Sequence, residues 1–157
     1  MIARATLPSP FGPLTVTEED GALTALDWQG GAPTRPPTPL LDAALRQLHA
    51  YFLNERKDFE LPVAPRGTPH DQAVWRAMCA IPWGETRTYG DVARDIGSSP
   101  RAVGGACGAN PLPIIVPCHR ILAAGGRLGG YSGAGGGATK RALLALEGHP
   151  TQFSLLD

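Results

Sequence analysis

Between residues 68 and 110 the chain starts three helices in succession and stops each one early. Thr68 can cap a helix with Pro69 at its first position and Asp71 at its third, a reciprocal cap. Val74, Trp75, Met78 and Ile81 supply an apolar stripe, and Pro82 ends it. Thr88 and Asp91 repeat the cap ahead of "YGDVARDI", which Gly97 closes. Ser99 caps again, with Pro100 at the first position of "RAVGGACG", and that helix stops at "ANP". Such punctuation leaves room only for short helices. The last two, joined by a three-residue turn containing Gly97, read as a helix-turn-helix.

The helix after Ser99 is unusual for a DNA reader. Beyond Arg101 it offers Ala102, Val103, Gly104, Gly105, Ala106, Cys107 and Gly108, with no Asn, Gln or Lys to address base edges. Gly104 and Gly105 each weaken a helix by roughly 1 kcal/mol relative to Ala. Small residues here serve close approach, either to another helix or to a narrow surface such as a DNA minor groove. The residues alone leave both readings open.

The N-terminal half has a different texture. "IARATL" (2–7), "LTVTEE" (14–19) and "ALTALDW" (22–28) read as an antiparallel meander with a turn at 19–21. A Pro/Gly-rich loop covers 29–39. Leu41, Ala44, Leu45, Leu48, Tyr51 and Phe52 then recur at helical spacing over about 14 residues. "DFELPV" (58–63) is one more short strand, and "APRGTP" (64–69) a linker. The expected class is α+β, with an N-terminal α/β domain at 1–65 and a mainly helical domain at 66–157. Formal net charge is zero, but residues 1–60 hold five Lys/Arg against eight Asp/Glu, and 61–157 hold nine against six. From Arg87 to Arg141 there are seven basic residues against Asp91 and Asp95 alone, the footprint of a polyanion-binding face. No apolar run reaches membrane-spanning length and no export signal is visible, so a cytoplasmic protein is expected. Cys79, Cys107 and Cys118 are odd in number and contain no C-x-x-C, which favours reduced thiols over a disulfide framework or a zinc site.

The segment "IIVPCHRIL" (114–122) places a cysteine where chemistry is possible. Ile114, Ile115 and Val116 read as a buried strand. Pro117 cannot donate to a ladder and ends it. Cys118, His119 and Arg120 then follow at a strand end, where side chains reach a cleft.

Taken together, "RAVGGACGANPLPIIVPCHRIL", "GYSG" and "LLALEG" resemble the O6-alkylguanine-DNA alkyltransferases, closest in layout to their bacterial Ogt-type members. The likeness is strong over residues 66–148 and holds by layout over 1–60. It implies a ribonuclease-H-like N-terminal domain and a winged-helix-like C-terminal one. Irreversible transfer of an alkyl group from O6-alkylguanine, and from O4-alkylthymine, to Cys118 would follow. It implies His119 as the base through an ordered water and Glu147 as the carboxylate orienting it. Asn110 would brace the turn beside the cysteine, and Tyr89 would help rotate the nucleotide out and bond the flipped base. Arg101 would fill the vacated stack, with Ala102, Gly105, Ala106 and Arg120 also against double-stranded DNA in the minor groove. Tyr131, Ser132 and Gly133 would form the loop over the lesion pocket. The resemblance implies no cofactor and no metal, a monomer, and cooperative assembly on DNA.

The chemistry suits these residue types. Displacing an sp³ carbon from a guanine oxygen wants a soft nucleophile, and a thiolate is the strongest available. Nothing hydrolyses a thioether, so each molecule acts once. Cys79 and Cys107 read as packing residues. Two features depart from the pattern. The glycine-rich segment 133–138 is longer than usual, which leaves the register of Lys140 open, and it reads as a mobile loop. Leu146 also stands where a His commonly precedes the Glu. Three rivals fit less well. A non-enzymatic lesion binder of the alkyltransferase-like kind lacks the acceptor cysteine, a fused regulator needs a longer chain, and a cysteine hydrolase rarely uses sequence-adjacent Cys and His.

Overall fold

The protein, here a computed structural model, is described for residues 1–31, 37–131, 133 and 135–149. The chain divides into two compact units, Met1–Arg66 and Gly67–Asp157.

The first unit is a three-stranded antiparallel sheet with one helix. Strands β1 (Ile2–Leu7), β2 (Leu14–Glu19) and β3 (Ala22–Asp27) lie in that order, with Leu7 opposite Leu14 and Glu19 opposite Ala22. Asp20 and Gly21 turn between β2 and β3 with positive φ. Helix α1 (Pro39–Phe52) starts at Thr38, whose hydroxyl accepts from Leu41 N at 3.0 Å and donates to the Glu18 carboxylate. Its buried face is Leu41, Ala44, Leu48 and Tyr51. The strand expected over 58–63 is reduced to one bridge, Leu23 to Val63.

The second unit follows the caps. Helix α2 (Pro69–Cys79) and helix α3 (Tyr89–Ile96) both carry complete capping boxes, from Thr68 with Asp71 and from Thr88 with Asp91. Gly97 closes α3 in the left-handed region, and Ser99 caps α4 (Pro100–Gly108). The indole of Trp75 donates to Ala106 O at 2.9 Å and pins α4 to α2. A two-stranded parallel sheet, β4 (Arg87–Thr88) with β5 (Ile121–Leu122), ties the start of α3 to the segment after Cys118. Helix α5 (Gly136–Leu146) follows, and Leu122, Leu128 and Leu144 form a buried cluster beneath it.

Four expectations are corrected here. Helix α2 ends at Cys79, so Ile81 is buried but lies beyond the helix. Cys79 is exposed at the end of that helix and is not a core residue. Residues 114–116 are a buried turn and not a strand: Ile115 N bonds Pro113 O, Val116 N bonds Leu112 O, and Ile114 takes φ 73. Three prolines within seven residues, Pro111, Pro113 and Pro117, deny the segment a ladder. Finally, Gly136–Ala138 already belong to the first turn of α5. Gly135 takes φ 83 as its cap, and a Cβ on Gly137 would stand 3.3 Å from Leu128 Cδ2.

Candidate active site

The turn that carries Cys118 is held by one side chain. Asn110, just past α4, receives the bond from Leu112 N on its Oδ1 (2.9 Å) and donates its Nδ2 to Val116 O (2.9 Å). Ile114, a β-branched residue in the left-handed region, is strained, and this brace over-determines the turn that keeps it there. Cys118 N bonds Val116 O at 2.8 Å, and the chain then makes a single 3-10 turn, Cys118–Arg120.

That turn sends two consecutive side chains to one carboxylate. Glu147 follows the last residue of α5, and it and His119 are fully buried. His119 Nε2 lies 2.7 Å from Glu147 Oε2. Arg120 donates Nε to Oε1 (2.8 Å) and Nη2 to Oε2 (2.9 Å), and its Nη1 donates to Ile81 O (2.7 Å). Arg120 is thus only 7 % exposed and its guanidinium is committed. Its expected place among DNA-contacting residues is corrected: it neutralises Glu147. Ala106, also expected there, is 2 % exposed with its carbonyl taken by Trp75, and is likewise corrected.

Charges in this cluster sort themselves. Burial would raise Glu147, but bonds from His119 and Arg120 outweigh it and hold it down to about 2. Burial pushes His119 below its ordinary value, more than Glu147 raises it. An ionised carboxylate only accepts, so the His119 proton sits on Nε2 and Nδ1 keeps its lone pair. Nδ1 is buried and makes no hydrogen bond within the described residues.

Cys118 opens on a cavity of about 320 Å³ lined by Tyr89, Gly104, Cys107, Gly108, Cys118, Gly130 and Tyr131. Burial pushes its thiol up; side-chain bonds from Asn110, the Lys140 charge and the Tyr131 hydroxyl pull it back. Tyr89 is likewise raised, to about 12, by burial and then by the two thiols. Lys140 is fully buried on α5, donates Nζ to Gly130 O (3.1 Å) and stands 6.0 Å from the Tyr89 ring centre. Burial lowers it to about 8. Helical periodicity places Lys140 in the site: Lys140, Leu143, Leu144 and Glu147 share one helix face. Gly133 lies in the turn before α5, its carbonyl accepting Gly136 N at 3.0 Å, while Ser132 is outside the described residues.

A bare surface runs along α4 and meets the cavity at Gly108. Arg101, Ala102, Gly105, Gly108 and Ala109 are exposed along one helical stripe. A Cβ at Gly104, Gly105 or Gly108 would meet nothing within 4 Å, so the small residues are not explained by helix packing. The basic stripe is thinner than its sequence count, because Arg120 and Lys140 point inward and Arg87 and Arg94 pair with Asp95 (2.6 Å) and Asp91 (2.5 Å).

Comparison with known proteins agrees across both units. Residues 2–65 match the model of the 6-O-methylguanine DNA methyltransferase ribonuclease-like domain, and 69–149 that of the 6-O-methylguanine DNA methyltransferase DNA-binding domain. The methylated-DNA–protein-cysteine methyltransferase of Mycobacterium tuberculosis is 44 % identical over 167 residues, covering 100 % of both chains. The solved O6-methylguanine methyltransferase of that organism aligns at TM-score 0.81 and 44 % identity over 100 % of each chain. The structure of its OGT in complex with DNA aligns at 0.80 and 45 % identity, over 92 % of this chain and 91 % of that one. With both family models matched in order and the likeness running the full length, this chain belongs to the 6-O-methylguanine DNA methyltransferase family.

Proposed function

We propose that the protein repairs DNA by direct reversal, moving the alkyl group of O6-alkylguanine, and of O4-alkylthymine, irreversibly onto Cys118. The observation that carries this reading is the Cys118 thiol on an open cavity, with the buried His119–Glu147 pair at the next turn of chain. Family membership supplies the reaction class, and the solved OGT–DNA complex of a relative supports DNA as the partner.

The residues divide the work. Glu147 and Arg120 fix the imidazole so that Nδ1 takes the Cys118 proton through one water. Asn110, Tyr131 and Lys140 then stabilise the thiolate. Cys118 Sγ attacks the alkyl carbon, the carbon–oxygen bond breaks, and the guanine oxygen keeps the electron pair. Tyr89, whose hydroxyl stays protonated well above neutral pH, donates to the flipped base and relieves that charge. The target must leave the stack, which costs a few kcal/mol. Arg101, exposed near the start of α4, occupies the gap, and the bare stripe of α4 lies in the minor groove. The protein works on DNA as a cytoplasmic monomer. Among the described residues no helix is long and apolar enough to cross a membrane.

Intact mass after incubation with an O6-methylguanine duplex tests the assignment. One methyl per chain, mapped to Cys118 and without turnover, is expected. Repeated rounds by one molecule, or methyl on Cys79 or Cys107 instead, would end it. Cys118→Ala should bind the lesion duplex and transfer nothing.

A further inference from the structure

The same cavity holds a second thiol that the proposed reaction does not use. Cys107, on the last turn of α4, is buried and lines the cavity together with Cys118, whereas Cys79 lies exposed at the end of α2. The two backbones are pinned to each other through Asn110. Asn110 N donates to Cys107 O (3.3 Å), Asn110 Nδ2 to Val116 O (2.9 Å), and Cys118 N to that same Val116 O (2.8 Å). Each thiol therefore faces one small cavity from a backbone held by a single side chain.

At rest Cys107 is a bystander. Burial, and then the charge of Cys118, raise its thiol to about 12, while Lys140 opposes them. A thiol so raised is a poor nucleophile toward a lesion.

We propose that Cys107 is the resolving thiol for oxidised Cys118, closing a reversible Cys107–Cys118 disulfide that guards the single-use acceptor. The oxidant is a hydroperoxide. Cys118 Sγ attacks the distal peroxide oxygen; the O–O bond breaks, the peroxide is reduced to an alcohol or water, and Cys118 becomes the sulfenic acid. Cys107 Sγ attacks that sulfur, the S–S bond forms, the S–O bond breaks, and the hydroxide leaves with the Cys107 proton as water. A dithiol reductant returns two electrons and two protons and restores both thiols. Without Cys107 the sulfenic acid meets more peroxide and proceeds to the sulfinic acid, which a thiol reductant does not reverse. The idea rests on Cys118 being the acceptor, but the disulfide is observable without any transfer assay.

The experiment uses the full chain, reduced, then treated with hydrogen peroxide, then with dithiothreitol. Wild type should lose two hydrogens by intact mass and yield a linked peptide joining Cys107 to Cys118. Cys107→Ser and Cys107→Ala should instead gain two oxygens on Cys118. Methyl transfer after reduction, scored against each protein's own untreated rate, should recover in wild type by roughly tenfold more than in either variant. Sulfinic acid forming on wild type as fast as on the variants, or a linkage through Cys79, would overturn the proposal. Failure of untreated wild type to take methyl would instead strike the proposed function, leaving the linked peptide to decide the disulfide.

Discussion

Gly105→Ala separates the stability of α4 from its use. Gly105 lies inside the helix, its carbonyl accepting Ala109 N at 3.1 Å, and is exposed. A Cβ there meets no atom of the protein within 4 Å. In the free protein the substitution should therefore act only through helix propensity, a gain of about 1 kcal/mol. For a chain of this size that is a rise in Tm of roughly 2–4 °C. On duplex DNA the sign reverses. If the bare stripe of α4 presses on the minor groove, one added methyl group overpacks the contact by about 1–3 kcal/mol. Single-turnover transfer from an O6-methylguanine duplex at sub-saturating protein should then fall between roughly fivefold and a hundredfold. Transfer from free O6-benzylguanine should not change, because Gly105 does not line the cavity. A more stable protein with undiminished duplex transfer would refute the placement of this face on DNA. Equal loss on both substrates would trace the effect to the pocket, and a fall in Tm would mean that the residue serves packing after all.

Arg101→Ala should lower transfer from duplex DNA at least fivefold, by removing about 1–3 kcal/mol of support for the extruded state, and leave the free-base reaction nearly unchanged. Glu147→Gln leaves the Arg120 guanidinium buried without its anion, so calorimetry should show a loss of about 3–5 kcal/mol and a Tm lower by roughly 10 °C. Wild-type stability should decline in acid. Glu147, held at about 2 against an ordinary 4.5, binds protons in the unfolded chain first, and its stabilisation is lost as pH falls from 4.5 through about 2. His119, depressed below 6.5, adds a loss that begins below that value; a Tm flat from pH 7 to 3 would contradict both. Lys140→Met removes a charge that lowers the Cys118 thiol, so iodoacetamide labelling of Cys118 should slow near neutral pH and its profile move to higher pH, with no loss of Tm.

The elements that could be read from the sequence are those whose cause lies within a few residues. Thr68 with Asp71, Thr88 with Asp91, and Ser99 with Pro100 each start a helix by bonds spanning three positions, and all three form as expected. Strands β1 to β3 follow from turn residues between short alternating runs. The motif around Cys118 pointed to the family, and Asn110 does brace the turn there.

What lay beyond the sequence depends on distant partners. A run of three apolar residues at 114–116 has the same burial in a strand or a turn; only Asn110 and the neighbouring prolines decide for the turn. Glycines at 136 and 137 are poor helix formers, yet α5 begins there, with Gly137 held against Leu128. Arg120 is a cation in a basic stretch, and nothing local says that its anion and its carbonyl acceptor lie 27 and 39 residues away. Lys140 joins the site because α5 lays it on the face that also delivers Glu147. The chain alone thus determined the helix starts and the meander, because each is written in neighbouring residues. Which charges are buried, which thiols share a cavity and which face of α4 stays bare were decided only when remote segments met, since burial and pairing belong to tertiary contacts.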